Sequence, residues 1–358
     1  MTSPLPIGAL GPAEMQVPCE VLAPTLAFFL GLGFRVEAIF PAEAPHTATL
    51  SGHGLRLRLA PGAGDPGTIR LACARPQGAP ERILIAPNGT RVALIDPDSP
   101  MVLPPMRPEF VLTRREESPS PSVGRAGMIY RDLIPSRLGG RYIASHIALP
   151  EGGPVADWTH FHKVRFQIIF CRRGWARLVY EDQGPAFVMA AGDCVLQPPR
   201  IRHRVLENSP GFEVVEIGCP ALHETLADHA MDLPTGEARK ERMFSGQTFL
   251  HHVAADTPFA PYGHTGLQRR DTGLARASQD AVDAFVLRPD AKDALAPQTN
   301  DHEFLFGFML EGTAVLEGQG LHPLGPADAF VIPEGHDWGL SACSPDTRLL
   351  VVTAPAPS

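Results

Sequence analysis

Three histidines and one amide stand close together in the middle of this chain: His160, His162, Gln167 and His203. Side chains on a strand repeat every two residues, so His160 and His162 share a face. His203 opens a further strand after the turn Pro198-Pro-Arg-Ile-Arg, where it can lie beside them. Neutral imidazoles converging on one spot suit Fe, Mn, Ni, Cu or Zn, with positions left open for water or substrate. The competing reading is that the histidines serve packing or hydrogen bonding without metal.

Several other residues are candidates for work beside such an ion. Arg165, Tyr180 and Gln197 are polar groups on neighbouring strands; an arginine can pair a substrate carboxylate through both its N–H groups, while the other reading of Arg165 is a solvated charge on the outer face. Glu216, in the closing strand, is a candidate acid or base if it points inward. His146 shares a strand face with Tyr142 and is read as a general base, a partner of the ligands or a core histidine. Trp158 and Phe161 flank the histidine pair as an aromatic wall or as core. His251-His252, without a partner cluster, is read as surface.

The elements that would position these groups are short strands. With 38 Pro and 34 Gly, the composition favours many strands and turns over long helices. From Ile129 the pattern reads as strands at Arg141–Leu149, His160–Cys171, Arg177–Glu181, Phe187–Ala190, Cys194–Gln197, His203–Leu206 and Val214–Gly218. Strands at this spacing, with Gly and Pro between them, predict an all-β barrel or sandwich. Pro220–Ala230 reads as a short helix. A second block has strands at Ala284–Leu287, Phe304–Leu310, Ala314–Glu317, Ala329–Ile332 and Leu349–Thr353. Phe308-Met-Leu-Glu-Gly312 echoes Phe170-Cys-Arg-Arg-Gly174, and Asp328–Pro333 echoes Asp193–Pro198, which indicates an internal duplication. Counting from the shared glycine and proline sets Gln298, Asn300, Leu305 and Trp338 against His160, His162, Gln167 and His203. That is a poor ligand set, although His302, Glu303 and His336 lie nearby.

The spacing Gly153-x6-His160-x-His162-x4-Gln167-x6-Gly174 resembles the first cupin motif, and Gly192-x5-Pro198-x4-His203 resembles the second. The resemblance implies two cupin-type β-barrels in tandem, a bicupin, with His160, His162, Gln167 and His203 as the metal ligands of the first. Gln167 stands where that family usually has Glu, so the site loses a negative charge and a natural base. Ahead of this, Met15–Cys19, a helix over Ala23–Leu32, and strands at Gly33–Val36, His46–Leu50 and Leu55–Leu59 resemble the βαβββ module of glyoxalase-like (vicinal-oxygen-chelate) proteins. Ala86–Asp96, with Asn88-Gly89 as a tight turn, resembles that module's closing hairpin. The first strand carries Met15 and Gln16 where that family places His or Glu, which implies a metal-free segment. The expected architecture is therefore mainly β. Residues 1–98 are the glyoxalase-like domain and 99–126 a proline-rich linker. Residues 127–232 form the metal-bearing barrel, 233–270 a connection and 271–358 a second barrel with a degenerate site.

Size and charge set outer bounds. At 358 residues, 44% hydrophobic and 20% charged, the chain is ordinary for a globular protein of two or three domains. A net charge of −8 without a Lys/Arg block argues against a nucleic-acid partner. Six scattered cysteines without a CxxC pair are expected to be reduced core residues. The start Met1-Thr-Ser-Pro-Leu-Pro lacks the features of a signal peptide, and no apolar run approaches the about 18 residues of a membrane helix. The expectation is a cytoplasmic protein without a membrane partner, with a homodimer as a candidate assembly.

The function these residues and the resemblance imply is a mononuclear metal-dependent enzyme. Foremost is an Fe(II) dioxygenase taking O₂ and a small enolate, catecholate, carboxylate or thiol. Manganese, nickel, copper or zinc could serve non-redox isomerase, lyase or hydrolase chemistry on the same ligands. A small-molecule binding cupin without catalysis is the reading from another class.

Overall fold

The computed structural model describes residues 12–74, 82–98, 101–117, 122–263, 266–290 and 295–357. The chain divides into two compact units, Met1–Pro100 and Met101–Ser358. Among the described residues no helix is long and apolar enough to cross a membrane.

In the first unit, β1 (Met15–Pro18), α1 (Leu22–Gly31), β2 (Arg35–Phe40), β3 (Thr47–Gly52) and β4 (Leu55–Ala60) follow in chain order. Their sheet runs β1-β4-β3-β2, with β1 parallel to β4 and the other pairs antiparallel. α1 lays Phe29 on this sheet, where it is buried with Val17, Leu50, Leu57 and Leu59. A separate sheet of β5 (Thr68–Ala72), β6 (Arg82–Ile85) and β7 (Arg91–Ile95) contains the hairpin expected at Asn88-Gly89. Gly89 has φ +90 there, a backbone state that favours glycine.

The second unit begins with β8 (Val111–Thr113), β9 (Ser122–Val123), β10 (Ile129–Asp132), β11 (Ile143–Leu149) and β12 (Gly153–Pro154). Then come β13 (His160–His162), β14 (Phe166–Arg173), β15 (Trp175–Tyr180), β16 (Phe187–Ala190), β17 (Cys194–Gln197), β18 (His203–Asn208), β19 (Phe212–Cys219) and β20 (Thr225–Ala227). The hairpin β21 (Met243–Phe244) and β22 (Gln247–Thr248) leads to β23 (Leu250–His252), β24 (Ala260–Pro261), β25 (Leu267–Asp271) and the short α2 (Leu274–Ser278). The last set is β26 (Asp283–Pro289), β27 (Leu295–Thr299), β28 (Phe304–Glu311), β29 (Ala314–Glu317), β30 (Leu321–Leu324), β31 (Ala329–Ile332), β32 (Asp337–Ser341) and β33 (Arg348–Ala354).

These strands make two halves of two sheets each. The first half pairs a seven-stranded sheet, β23-β17-β14-β19-β11-β10-β9, with a six-stranded sheet whose main path is β16-β15-β18-β13-β20. The second pairs β24-β25-β26-β33-β28-β31-β8 with β27-β32-β29-β30. Among the described residues no sheet closes on itself, so each half is an open two-sheet arrangement. Two segments cross the expected boundaries. Val111–Thr113, within the proline-rich stretch, adds to the edge of the second half's large sheet, and Leu250–His252 adds to the first.

The two large sheets pack back to back. Phe166, Ile168 and Phe170 of β14 and Val215, Ile217 and Cys219 of β19 share one buried cluster with Phe304, Phe306 and Phe308 of β28 and Leu350, Val352 and Ala354 of β33. The alternate residues, Cys171, Val214, Leu305 and Val351 among them, face inward within their own halves. Both faces of these strands are covered, and so the sequence reads as near-continuous apolar runs such as Phe304-Leu-Phe-Gly-Phe-Met. Each large apolar side chain buried there contributes about 1.5–3 kcal/mol. Gly307 interrupts the run because it lies opposite Phe330, whose ring occupies the space a Cβ would need.

Polar contacts tie the rim of this seam. His146 Nε2 lies 2.9 Å from Glu213, which also meets Arg172. These bonds hold the Glu213 carboxyl down at about 2, while burial lowers His146 below its ordinary value. Both groups bind fewer protons folded than unfolded, so their stabilisation is full above pH 6.5 and declines below it. The glutamate's part is lost between about 4.5 and about 2. Glu213→Gln is therefore expected to melt below the wild type at pH 7, with the gap closing towards pH 2.5 in thermal scans across pH. A constant gap would contradict this role.

Of the six cysteines, Cys19, Cys171, Cys194 and Cys219 are buried, and all six are free.

Candidate metal centre

The stretch expected as one strand, His160–Cys171, is two. β13 ends at His162 and β14 starts at Phe166, in different sheets of the first half. The break at Lys163-Val-Arg lets the chain cross from one sheet to the other. As a result the histidines approach from the six-stranded sheet and Gln167 from the seven-stranded one. His160 pairs directly with His203 across β13 and β18. The metal-capable nitrogens of His160, His162 and His203 all lie within 4.8 Å of one another, and all three residues are buried.

Each ring is held by its Nδ1. His160 Nδ1 is 2.8 Å from the Trp158 carbonyl, His162 Nδ1 is 3.1 Å from the Glu224 carbonyl, and His203 Nδ1 is 3.0 Å from the Ile201 carbonyl. A carbonyl accepts only, so each Nδ1 carries the proton and each Nε2 keeps its lone pair. The Glu224 carbonyl is supplied by a segment expected to be helical. Thr225–Ala227 is instead a strand on the outer side of β13. Burial, first of all, lowers the proton affinity of all three rings, His162 to about 3, which keeps them neutral at pH 7.

The histidines open onto a cavity of about 650 Å³ of atom-free space, part of it open to solvent. Gln167, Gln197, Tyr180, Glu216 and Arg125 line its polar part, and Met128, Ile147, Leu149, Leu178 and Phe212 are among its apolar walls. Tyr180 stacks on His203 with ring centres 5.4 Å apart, and its hydroxyl accepts from Gln197 Nε2 at 2.8 Å. Glu216 is half-buried, and desolvation raises its carboxyl above the usual range against the pull of His223 and a hydrogen bond from Gln167. With that amide nitrogen committed to Glu216, Gln167 Oε1 is left buried without a hydrogen-bond partner among the described residues. An orphaned carbonyl oxygen beside three imidazole lone pairs fits a divalent transition ion.

Arg125 and Asp157 were not singled out from the sequence. Asp157 is fully enclosed and accepts from Arg125, from Trp158 N–H at 2.9 Å and from Val205 N–H at 3.0 Å. Arg125 Nη2 lies 3.2 Å from His160 Nε2, so a guanidinium stands beside the place an ion would take. Their only sequence signal is an acid three residues before the first histidine.

The structure separates the other candidates. Tyr180 and Glu216 line the cavity with the histidines and Gln167. Arg165 does not: it sits in the break before β14, and its guanidinium reaches the Pro355 carbonyl at 3.3 Å. His146 lies on the seam face of β11, whereas Ile147 and Leu149 face the cavity. Trp158 is partly exposed, 6.5 Å from the His160 ring, and Phe161 packs under Arg202 on the outer side. His252 is buried and His251 stacks on Phe187, so this pair is not surface.

The second half repeats the register with other chemistry. Gln298 pairs with Trp338 as His160 pairs with His203. Gln298, Asn300, Leu305 and Trp338 line a cavity of about 470 Å³. Asn300 spends its amide on the carbonyls of His302 and Ile332. Glu303 points to the seam, where it meets Arg141 and Tyr142.

No family model matches the chain, and no curated protein does. Among solved structures it is similar to protein YlbA of E. coli, family DUF861, at 10% identity and TM-score 0.53, over 72% of this chain and 94% of that one. It is similar to a deletion variant of Bacillus subtilis oxalate decarboxylase OxdC, at 10% identity and TM-score 0.52, over 73% and 80%. A salicylate 1,2-dioxygenase variant from Pseudoaminobacter salicylatoxidans, in complex with gentisate, matches at 16% identity and TM-score 0.51, over 71% and 84%. These neighbours have the cupin fold, and at such identities the likeness assigns that fold to this chain and nothing finer. Fold and site together describe a mainly β chain of cupin-like fold in which three buried histidines are grouped so that they could hold a metal ion.

Proposed function

We propose that this chain is a mononuclear metal-dependent bicupin enzyme, an Fe(II) dioxygenase that oxidises a small organic anion in the cavity of the first half. The observation that carries the metal reading is the convergence of three Nε2 lone pairs, each fixed by a carbonyl on Nδ1. His160, His162 and His203 would hold the ion, with Gln167 Oε1 as a neutral oxygen ligand. A donor set without carboxylate leaves the ion its full positive charge, which favours an anionic substrate and O₂ in the open positions. The ion would supply Lewis acidity and, as iron, the path for electrons to O₂.

The protein's own groups orient and enclose the substrate. Arg125 is placed to pair a carboxylate or enolate next to the ion, and Tyr180 and Gln197 form a hydrogen-bonded pair at the same end. The apolar walls hold the substrate's body and keep water out. A salicylate dioxygenase among the structural neighbours is compatible with this substrate class. In the first unit, the order strand, helix and three strands, with β1 parallel to β4, supports a glyoxalase-like module without metal ligands at Met15 and Gln16.

One observation favours a second, non-redox reading. Glu216 lines the cavity and also a separate crevice with His223, Tyr130 and Asp132, so it could pass a proton between them. The oxalate decarboxylase neighbour, one structure of which concerns its Mn(II) centres, belongs with this reading. Elemental analysis after anaerobic purification, with O₂ uptake on a panel of carboxylates, catechols and thiols, separates the two. Stoichiometric iron with O₂ consumption supports the dioxygenase, and stoichiometric manganese or zinc without it moves the assignment to proton chemistry.

Arg125→Gln is expected to leave metal content intact or raised, since it removes a competing donor from His160 Nε2. The same variant should weaken binding of carboxylate substrates by about 10- to 100-fold, the loss of one charge-assisted bond. Metal titration and KM measured together check this, and an unchanged KM would remove Arg125 from the site.

A further inference from the structure

Away from the metal centre, three arginines gather at the rim of the seam between the two halves. The guanidinium carbons of Arg270, Arg288 and Arg348 lie 4.3, 4.1 and 5.8 Å from the ring centre of Phe259. Strand register puts them there. Arg288 on β26 is one step beyond the Leu287–Leu349 pair, which sets it across from Arg348 on β33. Arg270 on β25 pairs with Val286, two residues from Arg288 on the same face. Like charges opposite one another on adjacent strands destabilise a sheet. One guanidinium on an aromatic ring is a common contact, but three sharing a ring repel one another.

The protein supplies little to neutralise them. Arg288 Nε donates to Gln268 at 2.8 Å and Arg348 Nη1 to the Thr347 carbonyl at 2.7 Å, both neutral acceptors. Arg270 Nε is buried and has no hydrogen-bond partner among the described residues. No ion pair joins any of the three to a carboxylate among the described residues. The acids that act electrostatically on Arg348 and Arg270 are Glu311, which lies opposite Arg348, together with Asp346 and Asp193. Asp193 is committed to the N–H groups of Ala190 and Ala254, and Asp346 to Ser344. Burial and mutual repulsion together draw Arg270 and Arg348 below the ordinary arginine range.

We propose that Arg270, Arg288 and Arg348 form a binding site for a small oxyanion of the phosphate class, either free phosphate or the phosphate group of a small metabolite. Guanidinium forks match the oxygen edges of a phosphate in pairs, and Phe259 holds the forks together from below. None of the three lines the metal cavity, so the site is independent of the proposed activity. Phe259 packs on the core shared by both halves, and an anion seated here would relieve repulsion across β25, β26 and β33 and brace that rim.

Thermal unfolding and titration calorimetry of the full chain test this, with inorganic phosphate, glycerol phosphate and chloride at matched ionic strength. Phosphate at about ten times its dissociation constant is expected to raise the midpoint by about 3 °C, with chloride inert. Tighter binding of inorganic phosphate than of the ester marks the free anion as the ligand, and the reverse marks a phosphorylated metabolite. Arg288→Gln and Arg348→Gln should each lose most of the rise. Without phosphate both should melt at or above the wild-type temperature, because one repelling charge is gone. An equal rise with chloride, a rise retained in both variants, or variants that melt lower without anion would each overturn the site, the last by showing arginines that serve only to pack Phe259.

Discussion

His203→Ala is expected to weaken divalent-metal binding by at least about 100-fold, so that metal copurifying at one equivalent in the wild type falls to a trace. Among the described residues His203 is the third member of the only group of three or more His, Cys, Asp or Glu side chains close enough to share an ion. Its ring is buried between His160, 4.2 Å away by ring centre, and Tyr180, and its Nδ1 is fixed by Ile201. Removing one of three imidazoles leaves two nitrogens and a neutral amide oxygen, a weaker set than two histidines with a carboxylate. The second half shows the same loss made by the chain itself, with Trp338 at the position that pairs with Gln298. Elemental analysis settles the outcome, and circular dichroism guards against an unfolded variant. A variant that keeps stoichiometric metal would place the ion elsewhere and remove the basis of the proposed activity.

The second large effect lies far from the metal. Glu303→Ala is expected to destabilise the second unit by about 3–5 kcal/mol, the usual consequence of stranding one partner of a buried ion pair. Glu303 accepts from Arg141 Nε at 2.9 Å and Nη2 at 3.2 Å, and from the Tyr142 hydroxyl at 2.8 Å. The side chains of Arg141 and Glu303 are only 9% and 10% exposed, and Tyr142 stacks flat on Phe304. The substitution leaves a guanidinium and a phenol without their acceptor at the edge of the back-to-back core. Denaturant titration of wild type and variant measures the difference. A change below about 1 kcal/mol would show a pair screened as an exposed one is.

Arg165 and Glu303 explain one way in which sequence reading missed. They occupy matching places, two residues before Gln167 and Leu305, and both reach across the seam, Arg165 to Pro355 and Glu303 to Arg141. From the sequence Arg165 is either a substrate anchor or a solvated outer-face charge, because alternation extends a strand through it to Gln167. The strand starts one residue later, and the break between sheets turns Arg165 to the seam. For His146 the reading as a core histidine agrees with its place beside Glu213 and Phe308, away from the cavity. Alternation places it with Tyr142, but a sheet buried on both faces gives no pattern that tells the cavity side from the seam side. Glu213 and Glu216 show the same ambiguity, one on each side of β19. Pro220–Ala230 had helical composition, yet Thr225–Ala227 pairs with β13, since an open strand edge there outweighs weak local propensity.

The sequence alone determined the three histidines, their shared face, the amide at Gln167 and the loss of the same ligands in the second half. Residue type, a period of two and the matching glycine and proline spacings of the two echoing stretches are sufficient for those statements, because all are read along the chain. Tertiary structure alone decided that Arg125 and Asp157 attend His160, and that backbone carbonyls of Trp158, Ile201 and Glu224 set the tautomers. It also decided that Glu216, and neither His146 nor Arg165, shares the cavity, and that three arginines crowd one phenylalanine. Each of these depends on which strands become neighbours and which face of a sheet turns inward, and long-range packing fixes both.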